Sequence, residues 1–140
     1  MNYLLDTCVL SELTKKEPQA SVVDWVNRVR EQTCFISVLT IGEIQKGISK
    51  LLESPKKQEL QNWLDSNLQQ RFEGRILELS VKILIEWGQI LGKLEKGGVK
   101  LPVIDSLIAA TALANSITVV TRNVRDIERF GAIIFNPWKS

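Results

Sequence analysis

The stretch from Leu101 to Asn123 constrains this chain most. It runs Leu-Pro-Val-Ile-Asp-Ser-Leu-Ile-Ala-Ala-Thr-Ala-Leu-Ala-Asn, continues through Ile117-Thr118-Val119-Val120-Thr121, and carries Asp105 as its only ionisable side chain between Lys100 and Arg122. Pro102 suits a first helical position, and the apolar residues after it cover most of the helix circumference, so the stretch predicts a buried helix feeding a buried strand. A chain with this pair of elements must close other elements around them. Asp105 then requires an explanation, because an unpaired carboxylate in a core costs several kcal/mol or is driven to its neutral form. It needs a partner, a wet cleft or a cation. The ordinary alternative is an exposed aspartate in the first helical turn that offsets the helix dipole.

With 140 residues the chain is expected to fold as a single domain, 1–140, with a core that needs no staples. The net charge of +2 is too small to attract a polyanion by bulk electrostatics. Nucleic-acid binding would have to come from local clusters: Lys15-Lys16, Lys56-Lys57, or Arg122 with Arg125 and Arg129. Each of these is by prior an ordinary solvated face before it is a binding patch. The two cysteines, Cys8 and Cys34, form no metal or redox spacing. Met1 is taken as the start, no export signal or membrane span is expected, and a reducing cytoplasm fits. Histidine is absent. That excludes imidazole general bases, Ser-His-Asp and Cys-His hydrolases, histidine-pair ribonucleases and His-bearing zinc sites, leaving carboxylates and a hard metal for hydrolysis.

Taken in order, Tyr3-Leu4-Leu5 predicts a buried strand stopping at Asp6-Thr7, followed by a short helix over 9–13. An amphipathic helix over 19–30 carries Val22, Trp25, Val26 and Val29 on one stripe. A strand over 33–37 gives way to a helix with Ile41, Ile44, Ile48, Leu51 and Leu52 on one face, which leaves Glu43 off the stripe. Glu43 is then either an exposed glutamate paired with Lys46 or a group turned to a cleft. Ser54-Pro55 caps a helix whose apolar face is Leu60, Trp63, Leu64, Leu68 and Phe72. Two consecutive helices between strands predict a helical hairpin insertion, a common docking surface. A strand over 75–79, a helix over 81–96 capped by Ser80 and ended by Gly97-Gly98, a short helix over 124–130 and a strand over 132–135 complete the chain. This alternation predicts an α/β fold: a central, mainly parallel, five-stranded sheet flanked by helices on both faces.

In such sheets the binding crevice lies beyond the carboxyl ends of the strands, where strand order reverses. Asp6 ends the first strand, Glu43 follows the second by a helical turn, Asp105 opens the helix before the fourth, and Asn123 lies just past it. All four can face one sheet edge. Converging carboxylates repel by about 4 kcal/mol per pair at close approach for an effective dielectric near 20, so they would require a cation. Mg²⁺ or Mn²⁺ suits oxygen ligands of this kind, and such an ion can activate water for in-line attack on phosphorus.

Five segments occur together in order: Leu4-Leu5-Asp6-Thr7-Cys8-Val9-Leu10-Ser11-Glu12; Thr40-Ile41-Gly42-Glu43-Ile44 with Gly47; Asp105-Ser106-Leu107-Ile108-Ala109-Ala110-Thr111-Ala112; Val120-Thr121-Arg122-Asn123; and Phe135-Asn136-Pro137-Trp138. Over nearly its whole length the chain resembles the PIN domain of VapC-type toxins from bacterial toxin–antitoxin pairs. The resemblance implies a PIN-like fold and a Mg²⁺- or Mn²⁺-dependent endoribonuclease. It also implies a homodimer inhibited by a small VapB-like antitoxin whose C-terminal tail occupies the active-site groove. By position, Asp6, Glu43 and Asp105 match the metal-binding acids, and Thr7 and Thr121 match hydroxyls that trim the site. Arg122 or a lysine near the groove is expected to help seat the RNA backbone phosphate, and the products to carry 5′-phosphates. Two positions depart from the pattern. Cys8 stands where many relatives have Asn, and Asn123 stands where some have Asp, with Asp126 the nearby substitute for a fourth acid. A second metal site should therefore be weak or substrate-dependent. Two alternatives share these acids: a catalytically weak interaction module and a DNA-directed nuclease. A phosphorylatable receiver-like domain would need an aspartate ending a middle strand and a lysine ending a later one, and this chain supplies neither.

Overall fold

Strand β1 (Tyr3–Leu5) lies at the centre of the sheet, between β2 (Cys34–Ser37) and β4 (Thr118–Val120). The computed structural model describes residues 1–139. With β3 (Ile76–Leu77) beyond β2 and β5 (Ile134–Phe135) beyond β4, the order is β3-β2-β1-β4-β5, and every pairing is parallel. The chain moves outward from β1 to β3 and then returns to place β4 on the other side of β1. The β1–β4 boundary is thus the topological switch point.

Register decides how the sheet is buried. Leu4 faces Val119 and Leu5 faces Val120 across β1 and β4, and successive side chains of a strand point to opposite faces. Leu4 and Val119 accordingly join one core with Ile108, Ile127 and Phe130, while Leu5 and Val120 join a second with Val9, Ile36, Leu64 and Phe72. Helices α6 (Val81–Lys96), α7 (Val103–Ala114) and α8 (Val124–Phe130) cover the first face. The second is covered by α1 (Thr7–Leu13), α2 (Ala20–Arg28), α3 (Val38–Ser49) and the run α4 (Pro55–Asn62) to α5 (Gln69–Arg71). The expected three-layer α/β architecture and the hairpin between β2 and β3 are both present.

Three local expectations need correction. Leu51 and Leu52 lie beyond α3, which ends at Ser49, and are exposed instead of sharing its apolar face. Pro102 is the N-cap of α7 rather than its first helical residue: at φ −56° and ψ 138° it is extended, and its carbonyl accepts the helix-opening N–H of Ser106 at 3.0 Å. The helix after Ser54-Pro55 contains a π-helical stretch over Trp63–Leu68. Leu60, Leu64, Leu68 and Phe72 recur every four residues, a spacing that drifts about 40° per step around an α-helix. The wider π turn takes back part of that drift and keeps Leu64, Leu68 and Phe72 in the core. Among the described residues no helix is long and apolar enough to cross a membrane.

Candidate active site

Asp6 leaves β1 still paired to the sheet, its N–H donating to Val120 O at 3.0 Å, and then caps α1. Its Oδ1 accepts the Thr7 N–H at 2.8 Å. Its Oδ2 accepts the Thr121 hydroxyl at 2.7 Å, with the Cys8 thiol 3.7 Å away. Only 6% of Asp6 is exposed, and these bonds fix the direction of both its carboxylate oxygens. Thr121, fully buried just past β4, also accepts the Asn123 N–H at 2.9 Å. That turn brings the Asn123 side-chain amide to donate to Asp105 Oδ2 at 2.7 Å. Glu43, on the second turn of α3, accepts the Thr7 hydroxyl on Oε1 at 2.5 Å, and Thr7 Oγ1 lies 3.0 Å from Thr40 Oγ1.

Asp6, Glu43, Asp105, Asn123, Thr7 and Arg122, with Cys8, line one open pocket of about 300 Å³ at the switch point. Asp126 does not line it. That residue sits in the first turn of α8 and acts on Asp105 through its charge. The expected alternative of a Glu43–Lys46 ion pair is absent: among the described residues, none of the site acids has a cationic partner within 4.0 Å. Thr40 was missed by the sequence reading. It lies one helical turn before Glu43 and was therefore on the same face, but only the fold shows that the face meets Thr7.

Burial, with the added charges of Asp6, Glu43 and Asp126, pushes the Asp105 carboxyl up to about 6, while the Asn123 amide acts in the opposite direction. Burial and the neighbouring Asp6 push the Cys8 thiol up to about 11, so at neutral pH it is a thiol and not a soft thiolate ligand. The donor set is oxygen, hard and over-supplied with negative charge. Among the described residues no three acids or cysteines form a ready-made cage. Mg²⁺ needs none, because it keeps several waters and takes one or two carboxylates. The oxygen donors of the pocket fit such an ion, and Asp6, Glu43 and Asp105 are the acids available to hold it.

A parallel α/β sheet that gathers three carboxylates into one histidine-free pocket at its switch point defines a class of α/β domain with an acidic, oxygen-lined site. Residues 3–132 match the PIN domain, and the chain belongs to the PIN domain family. Plasmid stability protein StbB of Pseudomonas syringae pv. tomato is 33% identical over 137 residues, 98% of this chain and 99% of StbB. Toxin FitB of Neisseria gonorrhoeae is 33% identical over 135 residues, 96% and 97% of the two chains. The crystal structure of FitAcB from that organism superposes with a TM-score of 0.93 at 32% identity, over 99% of each chain. Ribonuclease VapC2 of Rickettsia felis is 32% identical over 138 residues, 99% of this chain and 98% of VapC2. VapBC2 from Rickettsia felis bound to a DNA fragment from their promoter superposes with a TM-score of 0.79 at 30% identity, over 97% of this chain and 98% of that one.

Proposed function

We propose that this chain is a Mg²⁺- or Mn²⁺-dependent endoribonuclease and the toxin of a toxin–antitoxin pair, with Asp6, Glu43 and Asp105 as its metal-holding acids. One observation carries the reading: three carboxylates and Asn123 converge on a pocket where, among the described residues, no cation pairs with any of the three acids. The kinship with Ribonuclease VapC2 supports RNA as the polymer cleaved. When bound, the cation lowers the pKa of a water and neutralises charge that builds on the phosphate.

The chain's own residues do the positioning. Thr121 and the Thr7 N–H fix both oxygens of Asp6, the Thr7 hydroxyl aims Glu43, and the Asn123 amide turns Asp105 toward the pocket. Asn123 adds no charge, so it takes the position open to a fourth acid without the acid's pull on a second cation. Arg122 seats the backbone phosphate. Hydrolysis by water leaves 5′-phosphate ends, whereas 2′,3′-cyclic phosphate ends would mean attack by the ribose hydroxyl and would overturn the mechanism.

A VapB-like antitoxin is the partner this reading requires, as in the VapBC2 complex. An apolar cavity of about 330 Å³ between α1, α2 and the second arm of the hairpin, walled by Leu10, Val26, Val29, Trp63 and Phe72, supports docking of an apolar partner segment. Exposed Val81, Leu84 and Ile85 on α6 support self-association as a homodimer. The deciding experiment is cleavage of a structured RNA panel by purified, antitoxin-free protein with Mg²⁺, Mn²⁺ or EDTA, beside Asp105→Asn. Metal-dependent cleavage lost in the variant supports the reading. Folded protein that cuts DNA alone, or no nucleic acid in any metal, defeats it.

A further inference from the structure

Among the described residues Arg122 is the one cation that lines the acid pocket, yet it forms no ion pair with Asp6, Glu43 or Asp105. An arginine facing three unpaired carboxylates would ordinarily fork one of them. Here its guanidinium is engaged elsewhere: Cζ lies 5.1 Å from the centroid of the Trp138 ring. Trp138 is anchored in turn. It belongs to the 3₁₀ turn Pro137–Lys139 that follows β5, where its N–H donates to Asn136 Oδ1 at 2.9 Å. Its indole Nε1–H points to Glu12 Oε1 at 3.4 Å. Glu12, near the end of α1, is only 4% exposed, and it accepts Lys15 Nζ and the Gln19 N–H, each at 2.9 Å. A chain of contacts thus runs from α1 through the C-terminal turn to the pocket wall.

From this geometry we propose that Trp138 is a positioning residue that withholds Arg122 from the carboxylates. It keeps the acids open to a divalent cation and the guanidinium free for an RNA phosphate. The inference rests on the nuclease reading above, but it concerns a residue outside the acid set. The physical balance is a fine one. Arg122 is exposed and the pocket is open to water, so a pair between its guanidinium and a carboxylate there is weak; stacking on an indole face is of similar strength, and the ring is enough to decide where the guanidinium rests. Without the ring, Arg122 falls toward the nearest carboxylate and competes with the cation from inside the protein. Glu12 serves the same end at one remove, by fixing the indole.

The test uses the full, metal-free chain and Mn²⁺ alone, with free Mn²⁺ followed by electron paramagnetic resonance. Trp138→Leu is expected to weaken Mn²⁺ binding about three- to fivefold, which is what an exposed ion pair can take from a competing ligand. Trp138→Leu combined with Arg122→Gln should bind as tightly as Arg122→Gln alone. Trp138→Phe, which keeps an aromatic face, should bind like the wild type. Unchanged binding in Trp138→Leu, or a double variant as weak as Trp138→Leu, overturns the proposal. The second of those results would mean general damage to the fold. NMR supplies an independent reading that needs neither metal nor a stable Leu variant: the Arg122 side-chain protons should be shifted upfield by the indole ring current in the wild type and remain shifted in Trp138→Phe. Unshifted Arg122 protons overturn the proposal. Wild type that binds no Mn²⁺ but shows the shift would sink the nuclease reading and leave the stacking arrangement standing.

Discussion

Asn123 donates its side-chain amide to Asp105 Oδ2 at 2.7 Å, joining the turn after β4 to the first turn of α7 across the mouth of the pocket. It is a neutral hydrogen-bond donor at a position where a carboxylate would add a further negative charge beside Asp6, Glu43 and Asp105.

Asn123→Asp should therefore trade metal-free stability for metal binding. A like charge within hydrogen-bonding reach replaces a donor, so the melting temperature in EDTA at pH 7.5 is expected to fall by about 3 °C, corresponding to roughly 1 kcal/mol in a domain of this size. Mn²⁺ should raise the melting temperature of the variant by more than it raises that of the wild type. Differential scanning fluorimetry with and without Mn²⁺ reads both effects, and an equal shift in the two proteins would disprove the trade.

The Asp105 carboxyl, pushed up to about 6 mainly by burial and then by its acidic neighbours, makes the metal-free fold sensitive to pH. Its folded-state value lies above the ordinary 3.8, so the folded protein holds the proton more tightly than the unfolded chain. This contribution to stability is complete below the unfolded value and is lost as pH rises through about 6. Asp105→Asn is consequently expected to melt higher than the wild type in EDTA at pH 7.5 and to lose that advantage by pH 4. Thermal denaturation of the pair across this range checks the sign. A gap that stays constant with pH would remove Asp105 as its source.

Thr121 tests how firmly Asp6 must be held. Thr121→Val keeps the volume of a fully buried side chain but removes the hydroxyl that donates to Asp6 Oδ2. A hydrogen bond to a charged group contributes about 1.5–3 kcal/mol, and urea denaturation should register a loss of that order. Cleavage by the folded variant should fall about tenfold, because a preoriented carboxylate becomes a mobile one. Unaltered stability would mean that Asp6 finds another donor.

Neither cysteine should act as a reactive thiol. Burial raises both, with the charge of Asp6 adding to it at Cys8, and both are free. Thiolate is the species that reacts with disulfide reagents, so native protein should be labelled slowly by 5,5′-dithiobis(2-nitrobenzoate), with both thiols appearing once guanidinium is added. Rapid labelling of one thiol in the native state would show that the Cys8 pocket opens in solution.

The order of elements, the burial of α7 and β4, the placing of Asp6 and Asp105 at the ends of their elements and of Glu43 off the apolar stripe of α3 followed from the sequence, because periodicity and strand ends are local properties of the chain. Ser54 and Ser80 were legible as helix caps for the same reason, and the structure has both. What only the tertiary structure decided are relationships between residues far apart in the chain. Thr121 reaches Asp6 across 115 positions because β1 and β4 pair in parallel with Leu5 beside Val120. That register also brings Asn123, rather than Asp126, to Asp105. The Thr40–Thr7–Glu43 contact and the stacking of Arg122 on Trp138 arise in the same way. Side-chain type and spacing say which face of its own element a residue occupies, but which faces meet is set by strand register and by the packing of helices over the sheet.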